Sequence, residues 1–207
     1  MAFLRYHRHM ISATRILNMY DTWTARWHTE DFTASNALTF ESTLEALHRA
    51  NFELWHEEDN ARAPHAGDAV LAQAKRNIDR INQRRNDQIE HCDTVLLEKL
   101  ARNHLPNPRV ELHSETPGLM LDRLSILSLK RYHTVEEIER PHAPAGHAER
   151  NRERLVILER QRADLAKCLD HLWSDILRGQ RRFAIYRQMK MYNDPTLNPV
   201  LYNKSTS

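Results

Sequence analysis

The sequence predicts an all-α protein: a helical bundle made of two similar long hairpins, with one helix before them and a short basic helix after them. The 207 residues include only 4 glycines, too few for the many tight turns of a sheet-rich fold or for a glycine-rich phosphate-binding loop. Apolar residues recur at the helical period along several long segments. Prolines separate these segments and do not interrupt them.

The first two helices follow from their apolar stripes. One is predicted from about Met10 to Thr29, with a stripe formed by Ile16, Met19, Trp23 and Trp27. The next is predicted from about Thr39 to just before Pro64, with an apolar face formed by Phe40, Leu44, Leu47 and Leu54. Each helix therefore has one face suited to burial and one suited to water.

The remaining helices have clearer boundaries. The third is predicted over about residues 68–102, and the fifth over about 146–178, where Gly179 ends it. The fourth starts after Thr116, a good N-cap residue, with Pro117 at the first helical position. A short basic helix is predicted after Gly179, followed by an extended tail.

An internal repeat relates the two hairpins. A shift of 77 residues without a gap aligns the second helix with the fourth and the third with the fifth. The turn Pro64-His65-Ala66 then matches Pro141-His142-Ala143. Two amphipathic hairpins can resemble each other without common origin, but the matched turns favour duplication. Further identical pairs include Leu44/Leu121, Leu47/Leu124, His56/His133, Arg85/Arg162, Asp87/Asp164, Asp93/Asp170 and Leu100/Leu177.

These elements predict a single all-α domain over residues 1–207. The linkers between its parts are assigned where prolines cluster. The parts are an N-terminal helix and linker (1–38), a first hairpin (39–103), a linker (104–116), a second hairpin (117–178), and a basic C-terminal helix with an extended tail (179–207).

Polar residues interrupt the core face of the third helix. Residues 82–88 read NQRRNDQ, so no face of this helix is apolar for two turns. Arg85 lies on the stripe expected to face the interior, and Arg162 has the equivalent place in the fifth helix. A buried guanidinium must be paired or must bind an anion, because an unpaired buried charge is costly. We therefore predict an interior polar layer suited to an anionic ligand, with candidate partners for Arg85 in segment 55–59. A structural ion-pair network is the alternative.

Carboxylates suggest a second interpretation, a metal-dependent all-α phosphohydrolase that uses Mg²⁺ or Mn²⁺. These ions prefer oxygen ligands, and Glu90-x-x-Asp93 has the spacing of an acidic pair on one helix face. The second helix has no Glu-x-x-Glu to match it. A di-iron bundle is less favoured, since Glu53-x-x-His56 corresponds to Lys130 before His133 in the second hairpin. The candidate metal ligands are Glu57, Glu58, Asp59, Glu90 and Asp93.

A third interpretation starts from Arg85, Asn86 and His91. Their spacing resembles the Arg-Asn-x-x-x-x-His motif of HEPN-type helical ribonucleases, where the Arg and the His would face a phosphodiester and its 2′-hydroxyl. The 13 histidines of the chain are scattered, and most are expected on the surface. A net charge of +2 gives no general argument for nucleic-acid binding.

The tail combines basic and aromatic residues. This combination suits a phosphate-bearing ligand such as a nucleotide sugar or an RNA strand. The alternative is a helix that caps the bundle, with its aromatic rings turned inward and its arginine stems lying over them. The candidate anion-binding residues are Arg181, Arg182, Tyr186, Arg187 and Lys190.

Composition also predicts the compartment. Two cysteines, Cys92 and Cys168, make neither a disulfide framework nor a zinc quartet, which fits a reducing environment. The first 20 residues are interrupted by basic side chains and do not form a secretory signal, and no stretch is apolar enough to span a membrane. We expect a cytoplasmic protein.

Four separate strings resemble the bacterial domain-of-unknown-function family 4254, and the resemblance covers most of the chain after about Phe40. They are LWHEEDNAR (54–62), IDRINQRRNDQI (78–89), ETPGLMLDRLSILSLKRYH (115–133) and RRFAIYRQMKMYNDPTLNP (181–199). The element PGLMLDRLSIL (117–127) is also similar to short helical proteins often encoded beside glycosyltransferases. The resemblance implies a bacterial protein that works near surface-polysaccharide or lipopolysaccharide assembly.

No reaction can be carried over from the resemblance to individual residues. We therefore expect a non-catalytic binding or accessory protein in glycan assembly, with a glycosyltransferase or a nucleotide sugar as partner; RNA binding and oligomerisation remain open. If the motifs mark a site, its residues are Trp55, His56, Glu58, Asp59, Asn82, Arg85, Asn86, Asp87, Asp122, Arg123 and Lys130.

Overall fold

A computed structural model describes residues 11–30, 39–64 and 67–187. It confirms the predicted all-α class, because the described residues form five helices and no strand. The helices are α1 (Ala13–Trp27), α2 (Phe40–Ala61), α3 (Asp68–Ala101), α4 (Pro117–Glu139) and α5 (His147–Leu177). Each predicted helix of the two hairpins is found, with ends within a few residues of those expected.

The starts of α2 and α4 show how local sequence sets the helix boundaries. The hydroxyl of Thr39 accepts a hydrogen bond from the backbone N–H of Ser42, at 3.1 Å. The hydroxyl of Thr116 accepts one from the N–H of Leu119, at 3.2 Å. Each bond satisfies a donor that the first helical turn leaves unpaired. The two threonines are 77 residues apart, so the repeat extends to the caps.

The hairpins α2–α3 and α4–α5 pack together through α4, which contacts both α2 and α3. Helix α1 lies against α4, α5 and α2. A single large cluster of buried apolar side chains joins all five helices. Its members with almost no exposed surface include Ile16, Tyr20, Leu44, Leu47, Leu96, Leu100, Leu121, Leu124, Leu169 and Trp173.

Two aspartates related by the repeat hold the starts of two other helices. Asp93 on α3 accepts a hydrogen bond from the backbone N–H of Gly118 at the start of α4, at 2.7 Å. Asp170 on α5 accepts one from the N–H of Ala13 at the start of α1, at 2.9 Å. A carboxylate at a helix N-terminus satisfies a free donor and complements the helix dipole.

Two arginines related by the repeat also bind α4 and α1. Arg85 on α3 pairs with Asp122 of α4, and Arg162 on α5 pairs with Asp21 of α1. Helix α1 therefore holds the place against α5 that α4 holds against α3. The duplication predicted from sequence is matched by these equivalent contacts.

The chain after α5 corrects one expectation, because residues 180–187 do not form a basic helix. The backbone of Arg182 instead bonds to the linker: its N–H donates to the carbonyl of Glu111, at 3.2 Å, and its carbonyl accepts from the N–H of His113, at 2.8 Å. Phe183 is buried. A backbone satisfied by a neighbouring segment has no need of helical hydrogen bonds. The predicted extended tail lies outside the described residues.

Among the described residues, no helix is both long enough and apolar enough to cross a membrane.

Candidate functional site

Arg85 faces the bundle interior as predicted, but its partner is on α4. Its Nε donates to Oδ1 of Asp122 at 2.7 Å, and a second guanidinium nitrogen donates to Oδ2. The Asp122 side chain is only 4% exposed. The hydrogen bond to Asp122 raises the pKa of Arg85. The acids of segment 55–59, which were the expected partners, do not bind this guanidinium.

The charge pair continues into a buried hydrogen-bond chain. The side-chain amide of Asn51 on α2 donates to Oδ1 of Asp122 at 2.9 Å, and also to the hydroxyl of Ser125 at 3.0 Å. Both Asn51 and Ser125 are buried. Asp122 therefore receives donors from α2 and α3, and its charge is balanced inside the protein.

His48 extends this chain of hydrogen bonds to α1. The hydroxyl of Thr24 donates to the carbonyl of Tyr20 at 2.8 Å, so it can only accept from Nε2 of His48, also at 2.8 Å. Nδ1 of His48 then accepts from Ser125, its counterpart in the repeat, at 2.7 Å. Burial lowers the pKa of His48 to about 3, so the ring is neutral. The polar layer is internally satisfied, and its arginine offers no free charge to a ligand.

The other residues predicted from the motifs do not join this layer. Asp87 is exposed and accepts from Gln83 at 2.8 Å. Arg123 is exposed and pairs with Glu115, and Lys130 is exposed on the same helix. The half-buried Asn82 and Asn86 lie on either side of Arg85 along α3.

The predicted carboxylate ligands also stay apart. Glu57 accepts from Asn77 at 3.0 Å, while Glu58 and Asp59 pair with Arg62. Asp93 is used at the start of α4, and burial raises its pKa to about 6. Within the described ranges, Glu57, Glu58, Asp59, Glu90 and Asp93 do not form a group that could hold one ion.

The residues of the ribonuclease-like motif lie in different surroundings. Arg85 is bound by Asp122, whereas His91 is exposed. The guanidinium of Arg85 is thus taken up by a buried carboxylate and is not free to bind a phosphodiester beside His91.

The basic tail is partly anchored to the linker. Arg181 pairs with Glu111, and Nε of Arg182 donates to the carbonyl of Val110 at 2.9 Å. Tyr186 and Arg187 are exposed, and Lys190 lies outside the described residues. Two of the predicted anion-binding arginines are thus used to hold the segment in place.

A cluster of three histidines is the feature that sequence reasoning missed. His28 follows the last residue of α1, His56 lies on α2 and His133 on α4. One ring nitrogen of each lies within 4.8 Å of one from each other ring. His56 and His133 are counterparts in the repeat, which was a usable signal. Nothing in the sequence pattern of α1 indicated that His28 would join them.

Aromatic rings enclose this cluster. Trp55 stacks on His133 with ring centroids 4.6 Å apart, and Tyr132 stacks on His28 at 4.4 Å. Burial, together with the neighbouring histidine rings, lowers the pKa of His56. Burial likewise lowers the pKa of His133. Both rings are therefore neutral at pH 7.

Two clefts open along the second hairpin. The larger, of about 650 Å³, includes the Arg123–Glu115 pair and Asp164, so its charges are mixed. The smaller, of about 390 Å³, lies beside the histidine cluster. Its lining residues are Trp55, Lys130, His133, Thr134, Glu137, Asn151, Arg154, Ile157 and Leu158. We call it the Trp55 cleft.

Comparison with known proteins gives one match. The chain matches the model of a family described as a protein of unknown function, DUF4254, over residues 41–185. No curated protein and no solved structure matches it significantly. The matched residues include both hairpins, the Arg85–Asp122 pair and two of the three clustered histidines. The chain belongs to the DUF4254 family.

Proposed function

We propose that this protein is a non-catalytic binding protein for an anionic ligand, of the nucleotide-sugar class, and that the Trp55 cleft is its site. The observation that carries the proposal is the lining of that cleft. Lys130 and Arg154 supply two positive charges, and Trp55 and Leu158 supply apolar wall. Such a lining suits a ligand with a phosphate group and a flat or apolar body.

The charges of the Trp55 cleft favour an anionic ligand because Glu137, the carboxylate in its lining, is already paired. Glu137 bonds to His147 at 2.7 Å and pairs with Arg140. Lys130 and Arg154 form no ion pair within residues 11–30, 39–64 and 67–187, although Arg154 donates to the amide oxygen of Asn151 at 3.2 Å. Trp55 and Lys130 are both among the site residues predicted from the motifs. The proposed site is therefore the Trp55 cleft and not the polar layer.

We also propose the process in which the protein acts and the kind of partner it has. The resemblance described in the sequence analysis implies a bacterial accessory protein in surface-glycan assembly, and the cysteine content favours the cytoplasm. A glycosyltransferase is the partner we propose. In that role the protein would hold the anionic sugar donor near its partner, while the reaction itself belongs to the partner.

Calorimetric titration with a uridine diphosphate sugar tests the ligand. We expect saturable binding that Lys130→Glu weakens at least tenfold, because the phosphate would lose an ion pair and meet a like charge. Lys167→Glu is the matched control, since Lys167 is an exposed lysine of α5 outside the cleft and its change should leave affinity unaltered. Absence of heat at millimolar ligand, or equal effects of the two variants, would refute the site.

A further inference from the structure

The histidine cluster contains two ring nitrogens that the protein leaves unused. Nε2 of His28 and Nε2 of His133 are buried, and neither has a hydrogen-bond partner among the described residues. They belong to different helices, and the ring of His56 lies next to both. Buried polar atoms are nearly always satisfied, so two unpartnered nitrogens in one cluster of rings indicate a missing partner.

The other ring nitrogen, Nδ1, of both His28 and His133 is hydrogen-bonded to an acceptor. Nδ1 of His28 lies 2.7 Å from the carbonyl oxygen of Thr24, and Nδ1 of His133 lies 2.7 Å from Oε2 of Glu136. A carbonyl and a carboxylate can only accept, so in each case Nδ1 carries the proton. Each Nε2 therefore has a lone pair that receives no hydrogen bond from the described residues. Metal-bound histidines are commonly oriented in this way by a carbonyl or carboxylate.

A cation satisfies this arrangement better than water does. Two buried ring nitrogens can only accept, and the three histidines each have a ring nitrogen within 4.8 Å of those of the other two. A metal ion accepts lone pairs from all three at once, whereas a water molecule has only two protons to donate. Imidazole nitrogen is a preferred ligand of zinc, copper and nickel.

We propose that His28, His56 and His133 form a binding site for a late first-row divalent metal ion, with Zn²⁺ as the expected occupant. Zinc–nitrogen bonds of about 2.0–2.1 Å place tetrahedral ligands about 3.3 Å from one another. The separations of up to 4.8 Å then close by about 1.5 Å, which small side-chain rotations can provide. Three protein ligands leave a fourth coordination position for water or an outside ligand.

The proposed metal site differs from the proposed nucleotide-sugar site in its chemistry and in most of its residues. It joins the end of α1 to α2 and α4, whereas the Trp55 cleft is lined mainly by α4 and α5 and includes only His133 of the three. His56 and His133 come from the duplicated hairpins, and His28 precedes the family-matched residues 41–185. Metal binding and sugar-nucleotide binding are therefore separable by substitution.

Titration of the full chain with Co²⁺ after chelator treatment tests the site. We expect one ion per chain, visible absorption bands of a four- or five-coordinate cobalt centre, and displacement of the bands by Zn²⁺. His28→Gln and His56→Gln should each weaken binding at least tenfold. Glu136→Gln should weaken it about tenfold, because it loosens the ring of His133 without removing a ligand.

Two controls separate this site from adventitious binding. His171→Gln changes an exposed histidine of α5 and should leave the cobalt bands unaltered. Replacement of His7 and His9 by alanine removes two histidines near the start of the chain, and it should also leave them unaltered. His28 follows the last residue of α1, so its substitution leaves the residues of that helix unchanged, and circular dichroism checks that each variant folds. No binding of Co²⁺ or Zn²⁺ by the folded chain, or binding that survives in His28→Gln and His56→Gln, would overturn the proposal.

Discussion

Asp122 is the residue on which the polar layer depends. It accepts hydrogen bonds from Arg85 and Asn51, and its own side chain is almost fully buried. A carboxylate in that position needs its donors, because removing a partner from a buried pair leaves an uncompensated charge. The layer is therefore best explained as a structural network that fixes how α4 lies against α2 and α3.

Substitution of Arg85 by leucine tests that explanation. We expect Arg85→Leu to lower the free energy of unfolding by about 3 kcal/mol, since it leaves the buried charge of Asp122 without its ionic partner. Adding Asp122→Asn should recover part of the loss, because the amide carries no charge. Urea unfolding of the single and double variants measures both effects. A stabilised Arg85→Leu protein would instead indicate a ligand site held at the cost of stability.

His48 gives the polar layer a dependence on pH. Its pKa falls from 6.5 to about 3 on folding, because burial disfavours the charged ring. The unfolded chain therefore binds more protons than the folded chain between these values, and stability decreases as the pH falls from 6.5 towards 3. The loss attributable to His48 is roughly 4 kcal/mol over that range.

Comparison of the unchanged protein with His48→Gln isolates the contribution of His48 to the pH dependence of stability. Asp93 has the opposite effect, because its pKa is raised to about 6 in the folded protein and its contribution to stability falls as the pH rises. The variant retains Asp93, so the difference between the two proteins reports His48. We expect the variant to be less stable at pH 7 but to lose less stability on acidification, as followed by urea unfolding at several pH values. Parallel pH profiles would contradict this account.

At the scale of elements, Gly118 decides how closely α4 approaches α3. A Cβ atom at this position would lie 2.7 Å from the backbone carbonyl oxygen of Ile89 and 2.8 Å from the carboxyl group of Asp93. The backbone oxygen cannot move aside without shifting α3. The Pro117-Gly118 pair thus has a physical role: the proline starts the helix and the glycine allows the contact.

Gly118→Ala should therefore destabilise the protein by about 2 kcal/mol or more, because the added methyl group forces the two helices apart. Gly67→Ala is the control. Gly67 precedes α3, and a Cβ there would meet no atom within 4 Å; its change should stay within about 1 kcal/mol. Thermal unfolding of both variants, monitored by circular dichroism, provides the measurement. Equal melting temperatures would show that the close approach is not needed.

At the scale of the whole molecule, α1 completes a fold that the two hairpins do not complete by themselves. It contributes Ile16 and Tyr20 to the core, and its Asp21 pairs with Arg162. Thr24 of α1 also closes the hydrogen-bond chain through His48. The family match begins at residue 41, after this helix.

A fragment that begins at residue 39 should lose cooperative unfolding. Without α1, Arg162 loses its carboxylate partner and the apolar faces of α4 and α5 become exposed. Calorimetry should show a broad transition or none, and the fragment should aggregate more readily. Addition of a peptide with the sequence 10–30 is expected to restore part of the transition. A fragment that melts as sharply as the full chain would contradict this prediction.

The sequence by itself determined the helices, the Thr116 cap and the repeat, because hydrophobic period, capping residues and proline positions act over a few neighbouring residues. It also indicated that Arg85 faces inward. Only the tertiary structure decided that Asp122 is its partner and that His28 meets His56 and His133. Such contacts depend on the stagger of one hairpin against another and on where α1 docks. The basic tail was predicted wrongly for the same reason, since pairing with a distant segment supplied the hydrogen bonds that a helix would have made.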